Sequence, residues 1–260
     1  MKTSNIKIAA LGLLALGLAS CGDDYLDTSS KTSLNSESFY SNEAQANAAV
    51  VGCYDGYQAT VSEGCWPNLF LASEFASDDC YGGGGPDDRS CRVLDRMDLN
   101  YSASDVSAFE ATWEWYYKAI NRCNLFLQKN NPGIYSSNDA YKAATGEARA
   151  LRGLEYFDLV RLFENVPLIT TPTQDIVPQA SPDSVYAQIV ADLKYAADSI
   201  PTSYYTDKST TLGRITSYAA GAMLARVYLF YDGVYNNNGR GTMPGGLTAA
   251  DALAYCEKAI

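Results

Sequence analysis

Apolar residues recur every three to four positions through most of this chain, and that period restricts it to helices packed against helices. Between Asp105 and Lys129 they fall at Phe109, Trp113, Tyr116, Ile120, Cys123 and Leu127, steps that trace one helical face. Between Ala140 and Phe163 the face is Ala144, Ala148, Leu151, Leu154, Leu159 and Leu162. Ser181-Pro182 supplies an N-cap and a first helical residue. Val185, Ile189, Leu193, Ala196 and Ile200 then hold the period until Pro201 ends it. The stretch from Gly213 to Tyr231 repeats the pattern with Ala220, Met223, Leu224, Val227 and Tyr231, and a first helix over Asn42–Gln58 carries Ala46, Val50, Cys53 and Tyr57.

These faces are wide, and small residues on them (Ala143, Ala144, Ala148, Ala219, Ala220) let neighbouring helices approach closely. The expectation is a mainly α fold of stacked αα-hairpins resembling tetratricopeptide repeats, degenerate because no clean self-similarity at about 34 residues is visible. No alternating strand of useful length stands out; Val166 to Pro172 reads as extended, with prolines at 167 and 172. Two long stretches, Ser62–Tyr101 and Tyr235–Gly246, read as irregular loops. Loops beyond roughly 15 residues are uncommon unless they carry function or are disordered. The chain stops at Ile260 inside a helical run begun near Thr248, which reads as a truncated element.

The first 20 residues are an address and not part of the fold. Lys2 and Lys7 precede an apolar run from Ile8 to Leu18, and Leu18-Ala19-Ser20-Cys21 follows. The run is shorter than the roughly 20 residues that span a hydrocarbon core but suits a secretory leader. Small residues leading into a cysteine fit a lipoprotein cleavage site, with the Cys21 thiol as the acylated nucleophile. Each buried methylene of the acyl chains contributes about 0.8 kcal/mol to anchoring. A polar tether over residues 21–35 follows, with Asp23, Asp24 and Asp27 beside the anchor. Acidic residues just after a lipidated cysteine resemble the surface-export signal of Bacteroidetes lipoproteins.

Charge and composition exclude several classes of function. The net charge is −11, so the chain is not expected to track nucleic acid, which requires a Lys/Arg-lined surface. The absence of histidine removes His-based triads, His–metal sites and the usual neutral-pH general base. Six cysteines follow Cys21, with no C-x-x-C and no zinc spacing. Cys80 and Cys91 flank a Gly-rich loop and are the expected disulfide pair, closing about ten residues for a gain of about 2–3 kcal/mol. Cys53, Cys123 and Cys256 lie on apolar helix faces and read as buried free thiols.

Candidate contacts concentrate on the first long loop. Trp66 and Tyr81 lie off the helical faces, where a ring can lie flat on the apolar face of a sugar for about 1 kcal/mol beyond area burial, by analogy with aromatic pairs. Asn68, Asp78 and Asp79 are the expected polar partners for hydroxyls. Gly82–Gly85 lacks the strand, helix start and Lys-Ser/Thr of a phosphate loop, and the acidic pairs 78–79 and 87–88 lack EF-hand spacing. Arg149, Arg152, Glu155, Asp158 and Arg161 read as a structural charged face with Arg152–Glu155 and Asp158–Arg161 pairs. Glu110 and Glu114 share a face, and Glu114 can meet Lys118. No motif selects two carboxylates on opposite sides of a sugar, so neither catalysis, a cofactor nor a metal is expected.

Several blocks together resemble the SusD/RagB family of outer-membrane nutrient-binding lipoproteins. They are Cys21-Gly22-Asp23-Asp24-Tyr25-Leu26-Asp27, Phe39-Tyr40 with Glu43-Ala44, and Trp115-Tyr116 with Ile120-Asn121-Arg122-Cys123-Asn124. Further blocks are Glu147-Ala148-Arg149-Ala150-Leu151-Arg152, Tyr156 through Phe163, Val166-Pro167-Leu168, Gly213-Arg214-Ile215-Thr216 and Leu224 through Leu229. The resemblance implies a glycan-binding lipoprotein held on the exterior of the outer membrane that passes oligosaccharides to a SusC-like TonB-dependent transporter. It implies no enzyme activity and transfers no binding residue. It divides the chain into a leader (1–20), an acylated tether (21–35) and the N-terminal part of a helical-repeat domain (36–260). The competing expectation is a helical-repeat lipoprotein that binds a protein, peptide or other nutrient. Replacing the acceptor thiol tests the anchor: Cys21→Ser is expected to move the protein from the membrane pellet to the soluble fraction on ultracentrifugation, and its retention in the pellet would refute acylation there.

Overall fold

The computed structural model describes residues 39–62, 67–83, 89–97, 109–203, 213–236 and 242–259. The expected leader, Cys21 and the expected tether lie outside them. Among the described residues the chain forms eight α-helices: α1 (Glu43–Thr60), α2 (Leu69–Phe75), α3 (Arg89–Arg96), α4 (Glu110–Lys129), α5 (Asn138–Phe163), α6 (Pro182–Ser199), α7 (Ser217–Tyr231) and α8 (Ala249–Ala259). The one sheet described has two strands, β1 (Val166–Pro167) antiparallel to β2 (Gln179–Ala180), with Val166 opposite Ala180. No described helix is long and apolar enough to cross a membrane.

Side-chain caps start most of the long helices. Asn42, Ser137, Ser181 and Thr216 each accept a hydrogen bond from a first-turn N–H of the helix that follows, satisfying donors that have no partner within the helix. Thr248 and Asp251 bond reciprocally at the start of α8, a capping box with aspartate in the acidic position. Ser181 and Pro182 thus occupy the cap and first helical position that the sequence leads one to expect.

The helices stack in chain order: α1 on α4, α4 on α5, α5 on α6, α6 on α7 and α7 on α8. The stack therefore consists of αα pairs, with α2 and α3 inserted between the members of the first. Val185, Ile189, Leu193, Ala196 and Ile200 are all buried, as the period requires. The central helix α5 departs from a single stripe. Its buried residues include Ala143, Thr145, Glu147, Ala150, Arg152, Glu155 and Phe157, which point in all directions because α1, α4 and α6 pack around it. Ser62–Tyr101, expected to be irregular, contains α2 and α3; both are too short to display a readable period. Cys53 and Cys123 are buried thiols as expected, but Cys256 is only partly buried, because α8 is covered on one side.

Charges also rearrange relative to the local expectation. Asp158 and Arg161 do pair within α5. Arg152 does not use Glu155; it reaches across to α6, where its Nε and Nη2 donate to the two Asp192 oxygens at 2.8 Å each. Cross-helix pairing wins because a bidentate carboxylate satisfies the planar guanidinium better than an i,i+3 neighbour.

Close approach of α5 and α6 rests on glycine. A Cβ on Gly146 would lie 2.4 Å from Ile200 Cγ1, whereas one on Gly52 would meet nothing within 4 Å. Gly146→Ala is expected to destabilise the fold by about 1–3 kcal/mol through overpacking, and Gly52→Ala to stabilise helix α1 by about 0.5–1 kcal/mol. Urea unfolding of both variants measures the contrast; equal midpoints would sink it.

Candidate functional site

The inserted helices build a surface hollow of about 360 Å³ whose lining includes Ser77, Asp78, Tyr81, Asp95, Arg96 and Met97. Helix α2 begins at its cap Asn68, which accepts from Leu71 N at 3.0 Å, and ends before Ser77. The chain then turns through Asp78 and Asp79. The Gly83 N–H bonds the Tyr81 carbonyl at 2.7 Å, a tight turn that presents the Tyr81 ring to solvent with 71% of its surface exposed. Arg96 stands in the last turn of α3, where a cation suits the helix C-terminus. Met97 follows with φ 47°, in the left-handed region, and ends the helix abruptly beside the hollow.

The expected contacts divide among different places. Asp78 and Tyr81 line the hollow together. Asp79 is exposed beside it, its N–H bonded to Ser77 Oγ. Asn68 is buried, and its amide bonds both Leu71 N and the Val61 carbonyl; it holds α2 in place, so its role is structural. Trp66 lies outside the described residues. Cys80 is partly buried; the Cys91 side chain lies outside the description, and with it the expected bridge between the two. Helix α3 packs against α2.

Asp95 and Arg96 were not singled out from sequence. Helix α3 has only eight residues, so no apolar period flags it. The i,i+3 and i,i+4 spacing of Arg92, Asp95 and Arg96 was the available signal of a helical turn. Chemically, the hollow offers an exposed aromatic face, two carboxylates that accept from hydroxyls and a guanidinium that donates to them. Its volume falls within the range of about 300–1,000 Å³ common to small-ligand sites.

Elsewhere the titratable groups serve the scaffold. Glu114 pairs with Lys118 at 2.7 Å on the open face of α4. Glu147 accepts from Tyr54 Oη at 2.7 Å and from Arg214 at 3.1 Å, tying α1 and the 213–216 segment to α5. Glu155 is fully buried, and its Oε1 has no hydrogen-bond partner. Burial, followed by the neighbouring Cys53 and Asp158, pushes its carboxyl well above the usual range. A hydrogen bond with Cys53, together with burial, pushes the Cys123 thiol up in the same core. No group of three His, Cys, Asp or Glu able to hold a metal ion occurs among the described residues.

The raised Glu155 has a pH consequence. Its unfolded-state carboxyl loses a proton near pH 4.3, while the folded state retains it, so its contribution to stability is full below that value and declines as pH rises. Glu155→Gln is therefore expected to flatten the fall in Tm between about pH 5 and about pH 8, read by calorimetry; parallel curves for the two proteins would rule out this carboxyl as the cause.

Residues 24–229 match the SusD-like family described as "Starch-binding associating with outer membrane". The chain is 28% identical over 220 residues to the SusD-like protein P38 of Formosa agariphila, covering 81% of this chain and 41% of that protein. It is 25% identical over 242 residues to a SusD-like protein of Bacteroides ovatus, covering 90% and 40% respectively. A solved laminarin-binding SusD-like protein superimposes with a TM-score of 0.66 and 29% identity, over 85% of this chain and 44% of that one. Surface glycan-binding protein A from Bacteroides uniformis shares the fold with a TM-score of 0.67 at 23% identity, over 84% of this chain and 46% of that one. The chain spans about two fifths of the length of the curated relatives it matches.

Proposed function

The chain belongs to the SusD-like family, and from that premise we propose that it binds glycans at the cell surface and hands them to a membrane transporter. In this reading Cys21 carries the lipid anchor in the outer membrane, facing the exterior. The helical pairs are the rigid support, and the Tyr81 hollow contributes contacts to an oligosaccharide. Delivery goes to a SusC-like TonB-dependent transporter, and no bond of the glycan is broken by this chain.

The observation that carries the reading is the Tyr81 ring, held out by a tight turn beside Asp78, Asp95 and Arg96. An exposed ring with carboxylates and a guanidinium at its rim suits a pyranose, whose faces are apolar and whose edges carry hydroxyls. A peptide groove would call for a longer apolar trough. Asp79, exposed beside the hollow, extends the proposed contact set, and Trp66, outside the described residues, is proposed as a further contact from its sequence position. The laminarin-binding relative supports glucans as the first ligands to try.

Isothermal titration with laminarin and starch oligosaccharides, using the intact unlipidated protein, tests the proposal. Saturable binding without product formation is expected, with affinity reduced about fivefold in Tyr81→Ala, as the loss of one stacked ring implies. Binding of peptides with no binding of any glycan would overturn it, and appearance of shortened oligosaccharides would replace binding with catalysis.

A further inference from the structure

Helices α1 and α4 cross on small residues. A Cβ added to Gly56 would lie 3.1 Å from Ala119 Cα and 3.2 Å from Ala119 Cβ, so the two Cα atoms stand within about 4.6 Å of each other. Cys53 precedes Gly56 by one turn, and Cys123 follows Ala119 by one turn. On the same face of each helix, these two cysteines oppose one another beside the crossing. Their side chains are hydrogen-bonded, and both are completely buried in one cluster with Ala46, Val50 and Phe126. Arg122, next to Cys123, donates to the Gly52 carbonyl at 3.1 Å and pairs with Asp55, which fixes the register of the two helices.

This is the geometry a cross-link requires. A disulfide spans Cα atoms about 4.4–6.8 Å apart and Cβ atoms about 3.5–4.5 Å apart, and the Gly56–Ala119 crossing holds the backbones at the near end of that range. Thiols already in contact then need only a side-chain rotation to join. Cys123 Sγ has one other polar neighbour, Glu155 Oε2 at 3.9 Å. The remaining described cysteines stand elsewhere: Cys80 lines the Tyr81 hollow and Cys256 lies on α8. A bridge between Cys53 and Cys123 would close a loop of about 70 residues, long enough to remove much of the entropy of the unfolded chain. Helices α2 and α3 lie within that loop.

We propose that in the exported protein Cys53 and Cys123 form a disulfide that staples α1 to α4. The oxidant is a second disulfide, of the small-molecule or protein kind found outside the cytoplasm. One cysteine thiolate attacks a sulfur of that disulfide, bonds to it and expels the other half as a thiolate. The second cysteine thiolate then attacks the first cysteine's sulfur, which forms the Cys53–Cys123 bond and expels the remaining half. The two protons given up by the cysteines end on the two expelled thiols, and the oxidant gains the two electrons that the cysteines lose. Both thiols are sealed in the folded protein, so exchange takes place while α1 is still apart from α4, and the finished bridge is shielded from reductants. The staple ties together the two helices that flank the segment bearing the Tyr81 hollow. The inference depends on the export reading of residues 1–21 for its oxidant, and not on glycan binding.

Incubating the intact unlipidated protein with oxidised glutathione, in urea just below its unfolding midpoint, and returning it to water tests the bridge. The oxidant is supplied in the tube, so a wrong assignment of the anchor cannot produce a negative result. After free thiols are alkylated in denaturant, digestion with trypsin and chymotrypsin is expected to yield a peptide pair joining Cys53 to Cys123. That pair should be two hydrogens lighter than its separate peptides and should disappear on reduction. The oxidised protein is expected to melt about 5–10 °C above the reduced one. Cys53→Ala should abolish that difference, and Cys123→Ala decides the matter if Cys53→Ala fails to fold. Cys80→Ala should leave both the linked peptide and the difference intact. Alkylation of both cysteines in the unreduced protein, a bridge from either to another cysteine, or an oxidised protein that melts no higher than the reduced one would each overturn the assignment.

Discussion

The stack of helices turns on one buried guanidinium. Arg152, 5% exposed, donates to both oxygens of Asp192 on α6, to Asn124 Oδ1 on α4 at 2.7 Å and to the Thr170 carbonyl at 3.1 Å. Asn124 in turn donates to the Ile169 carbonyl, and Tyr156 Oη bonds both the N–H and the carbonyl of Ile169. Burial alone would favour loss of the Arg152 proton, but the hydrogen bonds and charge of Asp192 outweigh it and hold the guanidinium ionised. Taking a charge out of water is tolerated only when its donors are met with good geometry. Because the acceptors come from three separate parts of the chain, satisfying Arg152 sets the spacing of α4, α5, α6 and the extended segment 166–170 together.

That constraint fixes α4, the helix that ties in the inserted segment: Thr112 Oγ1 on α4 donates to the Pro67 carbonyl just before α2 at 2.6 Å. Helices α2 and α3 then pack on each other, and the Tyr81 hollow gathers Asp78 and Tyr81 from beyond α2 with Asp95 and Arg96 from α3. A loop or helix end held by a stiff support can present polar groups to a ligand at a lower entropic cost than a free loop.

Much of the support was legible in the residues. The apolar period located the long helices, and Ser181-Pro182 located the start of α6 to the residue. The candidate site was less legible. Tyr81 stood out because it lies off any helical stripe, and it shares one hollow with Asp78, one of its expected polar partners. Asn68 looked like a free polar side chain but caps a seven-residue helix that is too short to announce itself. Asp95 and Arg96 join the site only because α3 folds back near α2, a contact that local spacing does not encode.

By itself, the sequence determined that this chain is helical, that its helices pair, and that its net charge is strongly negative, since period, capping residues and charge are local properties. Tertiary structure alone decided which charge meets which. Arg152 passes over its i,i+3 neighbour Glu155 for Asp192 forty residues away, and Glu155 is left buried with one oxygen unpartnered. It also decided which hydroxyl, that of Ser217, is buried without a hydrogen-bond partner. Both outcomes follow from burial: once water is excluded, a polar group is governed by the few partners that packing brings within reach, and packing is set by the whole chain.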